Sequence, residues 1–480
     1  MNTRKIISSL GKVLKVEAVL MCLALLVALY YRESSWTAFA IAIGIMLLVG
    51  TIADYKKPED GDIREGEGFV IVSFAWILCS IFGALPFFIS GQIPSYIDAY
   101  FETVSGFTTT GSSILKDVEA LDRGMLLWRS LTHWIGGMGV LVFVLAVLPA
   151  SEGRSIHIMR AESPGPIVGK IVPKIRTTAA ILYAIYIALT LIMVVCLLIG
   201  GMPLFDSVAN ALATAGTGGF AIKNLSIEAY DSAYLEGVFT VFMLLFSINF
   251  NVYYLLINGR VARALKSEEM RWFLGIVFVS TFAITINNIS AYGTFLHSFR
   301  YASFQVSSII STTGFTTTNF ETWPTFSKMI LIMLMFFGAC AGSTGGGMKT
   351  SRIIIMLKSI TREIRRLLHP RTVAVIKLEG KPVDNNVIHG TSVYLTAYMA
   401  VFLISLLIIS LEGFDMVTTS TSVITCLNNI GPGFGLIGPR GNFADFSQLS
   451  KLVLSANMLM GRLEIFPIIM IFNPSLWRKR

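Results

Sequence analysis

The sequence predicts an all-α polytopic membrane protein, with an initial helix pair and four helix–pore-helix–helix repeats in pseudo-fourfold arrangement around one pore. Three observations carry this. Hydrophobic residues make up 54% of the 480-residue chain, charged residues only 14%, and mean hydropathy is +0.70. Soluble proteins carry about a quarter charged residues. Apolar residues also gather in runs of about 18 or more, enough to cross roughly 30 Å of hydrocarbon as helix. Finally, a Thr/Gly-rich, charge-free stretch closes a hydrophobic run four times: Phe107-Thr108-Thr109-Thr110-Gly111, Ala215-Gly216-Thr217-Gly218-Gly219-Phe220, Ser311-Thr312-Thr313-Gly314-Phe315 and Leu427-Asn428-Asn429-Ile430-Gly431.

The elements follow in order. Long apolar segments fall at 13–31, 36–52, 69–90, 125–149, 179–200, 234–257, 272–291, 329–357, 391–411 and 447–473. The first follows Arg4, Lys5, Lys12 and Lys15. It is too long for a signal peptide, shows no small-residue cleavage site, and a second span follows at once. Semi-apolar stretches at 97–109, 204–215, 299–311 and 414–427 are too short to cross and read as re-entrant or interfacial helices. The units are therefore a helix pair at 1–60 and repeats at 61–160, 161–265, 266–380 and 381–480. The third repeat carries a broken second helix. Asp98, Asp206 and Tyr301 each stand 13 residues before Gly111, Gly219 and Gly314. In the fourth repeat Asp415 stands 16 before Gly431, which leaves Gly433 as an alternative corner.

Charge sets the expected orientation. With the N-terminus inside, the inward loops hold about three-quarters of the 38 Lys and Arg residues, which places both termini in the cytoplasm. Arg129 is counted among the few outward basic residues. The Thr/Gly stretches then lie near the outer side. The net charge of +9 is spread this way rather than as a nucleic-acid face, so no nucleic-acid partner is expected. Cys22, Cys79, Cys196, Cys340 and Cys426 lie in apolar segments without metal-ligand spacing.

Four equivalent Thr/Gly stretches suit a cation filter. Backbone carbonyls replace the hydration shell without a fixed charge that would trap the ion, and glycine permits the positive φ of an inward carbonyl row. The C-terminal end of each short helix adds partial negative charge. The candidate filter is Thr109, Thr110 and Gly111; Thr217, Gly218 and Gly219; Thr312, Thr313 and Gly314; and Asn429, Ile430 and Gly431. Close helix packing through small residues is the competing explanation for any single stretch. A second candidate element interrupts the span at 329–357: Gly338, Gly342, Ser343, Thr344, Gly345, Gly346 and Gly347. So many glycines cannot sustain a helix. The stretch reads as an intramembrane gating loop, and no other span is expected to be broken like this. Arg462, about 11 residues or roughly 16 Å of helix from the end of its span, lies too deep to snorkel easily. It reads as a pore-facing barrier. Glu464 is a poor partner for it on a regular helix, because residues two apart do not face each other. A carboxylate from another helix or helix C-terminal carbonyls stay open as alternatives.

The remaining chemistry is sparse. Lys349 to Lys381 holds nine Lys and Arg, read equally as inside-loop charge and as a docking surface for a regulator. Gly345-Gly346-Gly347-Met348-Lys349-Thr350 lacks phosphate-loop spacing. His133, His157, His297 and His369 are scattered and read as structural or surface residues rather than ligands. No catalytic cluster appears, so no enzyme is expected. A rocking transporter would show two related halves, not four repeats with one broken span.

Together, Ser105-Gly106-Phe107-Thr108-Thr109-Thr110-Gly111-Ser112, His133-Trp134-Ile135-Gly136-Gly137-Met138-Gly139, Ala341-Gly342-Ser343-Thr344-Gly345-Gly346-Gly347, Asn428-Asn429-Ile430-Gly431-Pro432-Gly433-Phe434-Gly435 and Gly461-Arg462-Leu463-Glu464 resemble the TrkH family, within the TrkH/TrkG/KtrB/HKT superfamily of potassium transporters. The resemblance covers essentially the whole chain. It implies potassium uptake across a bacterial inner membrane, with Gly111, Gly219, Gly314 and Gly431 as filter glycines, 338–347 as the gating loop and Arg462 as the pore arginine. It implies a homodimer with one pore per subunit, controlled by a cytoplasmic TrkA-like nucleotide-binding ring. NAD(H) or ATP would bind that partner, and this chain would hold no cofactor beyond the transported K+. Proton- or sodium-coupled symport with the same filter stays open.

Overall fold

The computed structural model describes residues 1–55, 65–139, 175–372 and 374–474. Helix α1 (Thr3–Tyr30) and α2 (Trp36–Asp54) form the initial hairpin. Glycines let the two backbones touch, since a methyl group at Gly11 would lie 2.7 Å from the Gly50 carbonyl oxygen, and one at Gly50 2.8 Å from that of Gly11. Lys15 pairs with Asp54 at 3.0 Å beside this contact.

The first repeat comprises α3 (Glu65–Gly83), α4 (Leu85–Ile89), the short helix α5 (Tyr96–Phe107) and α6 (Arg123–Gly137). The second comprises α7 (Ile175–Ile199), α8 (Leu204–Ala215), α9 (Ala233–Ser247) and α10 (Phe250–Ile257). After the connector α11 (Val261–Leu265), the third holds α12 (Glu268–Tyr292), α13 (Phe295–Ile310), α14 (Thr325–Phe336) and α15 (Thr350–Leu368). A two-residue strand pair, β1 (Lys377–Leu378) and β2 (Lys381–Pro382), leads to the fourth. It consists of α16 (Asn385–Ile409), α17 (Met416–Leu427), α18 (Gln448–Arg462) and α19 (Phe466–Ile471).

Among the described residues, six helices are long and apolar enough to cross a membrane, and the bent pair α9–α10 makes a seventh. The expectation of a single broken span is corrected. The span at 234–257 bends by 93° after Ser247, where extended Ile248 is followed by Asn249, whose side chain accepts from the Asn251 N–H and starts a new helix. The span at 447–473 breaks between α18 and α19, where Glu464 (φ 58°) and Ile465 (φ 68°) are both left-handed. The span at 125–149 runs as α6 to Gly137. Its second half, the loop at 151–178 up to Ile175 and the basic end Arg478, Lys479 and Arg480 lie outside the described residues.

The four short helices begin for local reasons. Ser95, Thr294 and Asp415 accept N–H groups from the first turns of α5, α13 and α17, and Pro203 precedes α8. Asp98 and Asp206 sit in first turns, where the helix dipole favours an anion. The opposite ends of all four are buried.

The glycine contact in the hairpin is testable. Gly11→Val should lower the thermal melting temperature of the detergent-solubilised protein by several degrees, as expected of a clash of about 1–3 kcal/mol. Gly44→Val, in the same helix pair with open space at its Cβ, should leave it unchanged.

Candidate functional site

Each short helix ends inside the protein, where its last carbonyls lack water. All four ends turn in the same way. The chain enters left-handed φ at Thr109 (55°), Thr217 (55°), Thr312 (59°) and Asn429 (55°). The next N–H then reaches back into the helix. Thr110 donates to the Ser105 carbonyl, Gly218 to Ala213, Thr313 to Ser308 and Ile430 to Thr425, each at 2.9 Å. These are the long back-bonds of a Schellman motif. Threonine is β-branched and rarely adopts positive φ, so three corners hold backbone that persists only because its surroundings over-determine it. Asn429 tolerates the conformation better.

Two residues further on φ is positive again, at Gly111 (81°), Gly219 (74°), Gly314 (89°) and Gly431 (100°). A methyl group at Gly111 would lie 2.1 Å from the Gly218 carbonyl oxygen. At Gly219 it would lie 1.9 Å from that of Thr313, at Gly314 2.1 Å from that of Ile430, and at Gly431 2.8 Å from that of Thr110. Each glycine therefore seats the carbonyl that precedes the next repeat's glycine. The contacts run from the first repeat to the fourth and back to the first, a closed ring. Gly433 lies outside it, with its Cβ position 2.6 Å from Ile437 and 2.9 Å from the Thr421 hydroxyl.

On one side the four glycines open into a cavity of about 250 Å³. Lys116, Lys223, Arg440 and Arg129 also line it. Each has a carboxylate partner: Asp445 at 2.9 Å, Glu119 at 3.1 Å, Glu228 at 2.7 Å and Glu102 at 2.8 Å. The Asn224 backbone N–H and, after it, Lys223 hold the Glu119 carboxyl below its usual range. Paired in this way, the basic residues oppose an incoming cation much less than bare charges would.

The Arg129–Glu102 pair is buried and binds two corners together. Glu102 also accepts from the Ile114 N–H at 2.9 Å and the Ser113 hydroxyl at 2.9 Å. Arg129 donates to the Ala221 carbonyl at 3.1 Å and covers the Phe220 ring at 4.0 Å. His133 is wedged in the same seam. Its Nε2 accepts from the Phe220 N–H at 3.2 Å, so the proton is on Nδ1, which donates to the Gly106 carbonyl at 2.8 Å. The structural role expected of His133 is thus located at the second corner. The functional weight of Glu102 and Arg129 escaped the sequence reading, because Arg129 was counted as loop charge. A carboxylate in one apolar segment and a guanidinium at the start of the next was the available signal.

On the other side the loop from Phe337 to Lys349 lies against the ring. The Gly346 N–H donates to the Thr312 hydroxyl at 2.6 Å. Methyl groups at Gly345 and Gly346 would lie 3.0 Å from the Ser311 carbonyl oxygen and 2.9 Å from the Asn429 Cβ. The rest of the loop is tied down further out. The Gly338 N–H donates to the Met348 carbonyl at 2.8 Å, and that of Cys340 to Ser247 at 3.0 Å. The Gly342 carbonyl accepts from the Phe250 N–H at 3.0 Å, the Thr344 hydroxyl donates to the Phe246 carbonyl at 3.0 Å, and the Ser343 hydroxyl donates to that of Cys340 at 2.6 Å. Gly347, also left-handed, packs on Gly338. Glu269 accepts from the Ala341 N–H at 2.8 Å and the Ser351 N–H at 3.0 Å.

Arg462 ends α18 and reaches into this region. Its guanidinium donates to the Thr344 carbonyl at 2.8 Å, and to the Gly136 and Gly137 carbonyls at 2.6 and 2.7 Å. Helix-terminal carbonyls, one of the alternatives left open, are therefore among its partners. Glu464 is occupied by Arg352 instead.

The chain matches the family TrkH, described as cation transport protein, over residues 35–479. It is 36% identical to the Trk system potassium uptake protein TrkH of Salmonella typhimurium over 487 aligned residues, covering all of both chains. It is 31% identical to the Trk system potassium uptake protein TrkI of Halomonas elongata, again over both full lengths. The crystal structure of the potassium transporter TrkH from Vibrio parahaemolyticus superposes with a TM-score of 0.89 at 33% identity, covering all of both chains.

The buried pair gives a contrast in stability. Removing one partner of such a pair costs about 3–5 kcal/mol, so Glu102→Gln should lower the melting temperature strongly. Lys116→Gln breaks an exposed pair worth about 0–1 kcal/mol and should barely change the same melt.

Proposed function

We propose, for a chain that belongs to the TrkH family of cation transport proteins, that it conducts potassium inward across a bacterial inner membrane through the four-cornered glycine ring. The observation that carries this is the closed ring itself. Four carbonyls are held by backbone contact at a charge-free constriction, and four helix C-termini end beside it. Carbonyl oxygens and helix-end dipoles together stabilise a dehydrated cation without trapping it. The relatives' names, which join "Trk system" to potassium uptake, support potassium as the ion and further components in the assembly.

In this reading Thr109, Thr110 and Gly111 and their counterparts through Gly431 form the filter. Gly338 to Gly347 form the gate, and Arg462 holds it shut. The Gly346–Thr312 hydrogen bond supports this reading, because it joins the loop to one corner of the ring. Both termini face the cytoplasm. The exposed Arg365 and Arg366 on α15, with half-buried Arg362 beside them, then offer a docking face for a TrkA-like regulatory ring, which carries the NAD(H) or ATP. The subunit works as a homodimer with one pore per chain.

Radiolabelled rubidium uptake into liposomes tests the reading, with K+, Na+ and a pH gradient varied separately. Downhill uptake, competed by K+ in preference to Na+ and indifferent to the pH gradient, is expected. Uptake driven uphill by the pH gradient would make the protein a coupled symporter. Gly314→Ser should reduce the preference for K+ over Na+ by about tenfold, a loss near 1.4 kcal/mol of discrimination. An unchanged ratio would remove the filter assignment. Arg462→Ala should raise flux while leaving the ratio intact.

A further inference from the structure

Glu464 and Arg352 lie 112 residues apart and make a two-pronged ion pair beneath the gating loop. Arg352 Nη1 donates to Glu464 Oε1 at 3.0 Å and Nη2 to Oε2. The side chains are 7% and 20% exposed, and the guanidinium covers the Tyr394 ring at 4.0 Å. Arg352 is in the first turn of α15, three residues after the loop ends. Glu464 is two residues after Arg462. One short stretch of the fourth repeat therefore holds the loop twice, by its tip through Arg462 and Thr344 and by its exit through Glu464 and Arg352.

A regular helix could not direct residues two apart to these two places. The chain achieves it by ending α18 with two successive left-handed residues, Glu464 and the β-branched Ile465. Such backbone persists only where its neighbours over-determine it. Here the restraints include the backbone bonds of the turn, among them the Ile465 N–H to the Met460 carbonyl and the Phe466 N–H to the Glu464 carbonyl, both at 2.7 Å, the burial of Ile465 with Met348, Tyr394 and Leu427, and the fork to Arg352. Only the last of these connects the turn by charge to an element that leaves the pore. From Arg352, α15 runs to Leu368, and its outer half is exposed and basic.

We propose that the Arg352–Glu464 pair is a latch that positions Arg462. While it is closed, the turn at 464–465 keeps the guanidinium on the Thr344, Gly136 and Gly137 carbonyls. When α15 is displaced from its outer end, the pair parts, the turn relaxes and Arg462 withdraws from the loop. This rests on the gating reading above and names the step by which a force on α15 reaches the pore. Lys358, which pairs with Glu268 and donates to the Lys377 carbonyl, braces α15 to α12 and the strand pair, so these move with it.

The test is rubidium flux through the full-length protein in liposomes without a regulator. Arg352→Gln and Glu464→Gln should each raise basal flux about fivefold or more, the lower end of the usual range of coupling between sites. Arg352→Glu combined with Glu464→Arg should bring the flux back down, which a merely structural loss would not do. If Arg462→Ala raises flux while neither single change does, the latch is overturned and the gate stands. If Arg462→Ala has no effect either, the gating reading fails and the latch with it. Singles that raise flux with no recovery in the exchanged pair also overturn the latch. Should a glutamine variant fold poorly, Arg352→Lys keeps the charge and loses the fork. Faster hydrogen–deuterium exchange at residues 343–348 in that variant is expected, and unchanged exchange overturns the proposal.

Discussion

Four carbonyl oxygens, those of Thr110, Gly218, Thr313 and Ile430, each occupy the space where a neighbouring residue's side chain would be. The rest of the structure serves this constraint. The size of the ring is set by backbone meeting backbone, and no flexible side chain intervenes to let it widen. Backbone held that closely must be supported from behind. The four short helices end in matching back-bonded turns, and the buried Glu102–Arg129 pair and His133 join the first corner to the second. Further out, Arg300 grips Glu236 through two bonds of 2.7 Å, and Lys451 reaches Asp98 at 2.7 Å. These pairs tie the second repeat to the third and the fourth to the first. In a low-dielectric interior each ion pair needs good geometry to persist, so together they fix the spacing of the short helices that carry the ring.

The fourfold pattern holds at the ring and is abandoned beneath it. Among the described residues, the third repeat sends a glycine loop under the corners, and the fourth supplies from the end of α18 the arginine that reaches this loop. The corner residue differs too. Asn429 stands where the other repeats have threonine, and its amide donates to the Thr110 hydroxyl at 3.0 Å and the Met458 carbonyl at 2.9 Å. A threonine hydroxyl has a single proton and could not make both bonds. The fourth corner is thus fastened both to the first corner and to α18, the helix that carries Arg462. Symmetry suits a ring around one ion path, whereas a switch needs distinct elements that move against one another.

Local information was enough to predict much of this. The four short helices, their glycine corners and the broken third-repeat span are written in hydrophobicity and in glycine spacing. Features set by distant pairings were not legible. Glu464 looked like an unsuitable partner for Arg462, and it is, but its actual partner Arg352 is far away in sequence. The bend after Ser247 and the break after Arg462 lie in segments that carry no run of glycines or prolines at the break, because a single asparagine cap and two left-handed residues suffice to make them. Arg129 is next to a loop in sequence and buried in space, so a count of loop charges assigned it to the wrong environment.

The orientation of successive peptide groups in the loop explains how one short segment can face both the ring and its restraints. The carbonyls of Thr344 and Gly345 accept from Arg462 and Lys349, and the next N–H, that of Gly346, points to Thr312 in the ring. The loop is therefore pulled one way by the buried Lys349 and the half-buried Arg462 and hydrogen-bonded the other way to the corner beside it. Arginine suits the first task because its planar fork engages carbonyls of two separate elements at once, whereas lysine offers a point charge. While the loop is closed, both cations lie close beneath the ring. On the proposed gating reading, an ion arriving there would meet backbone in its path and positive charge just beyond it, two barriers that would be removed together only if the loop and its arginine left in one movement.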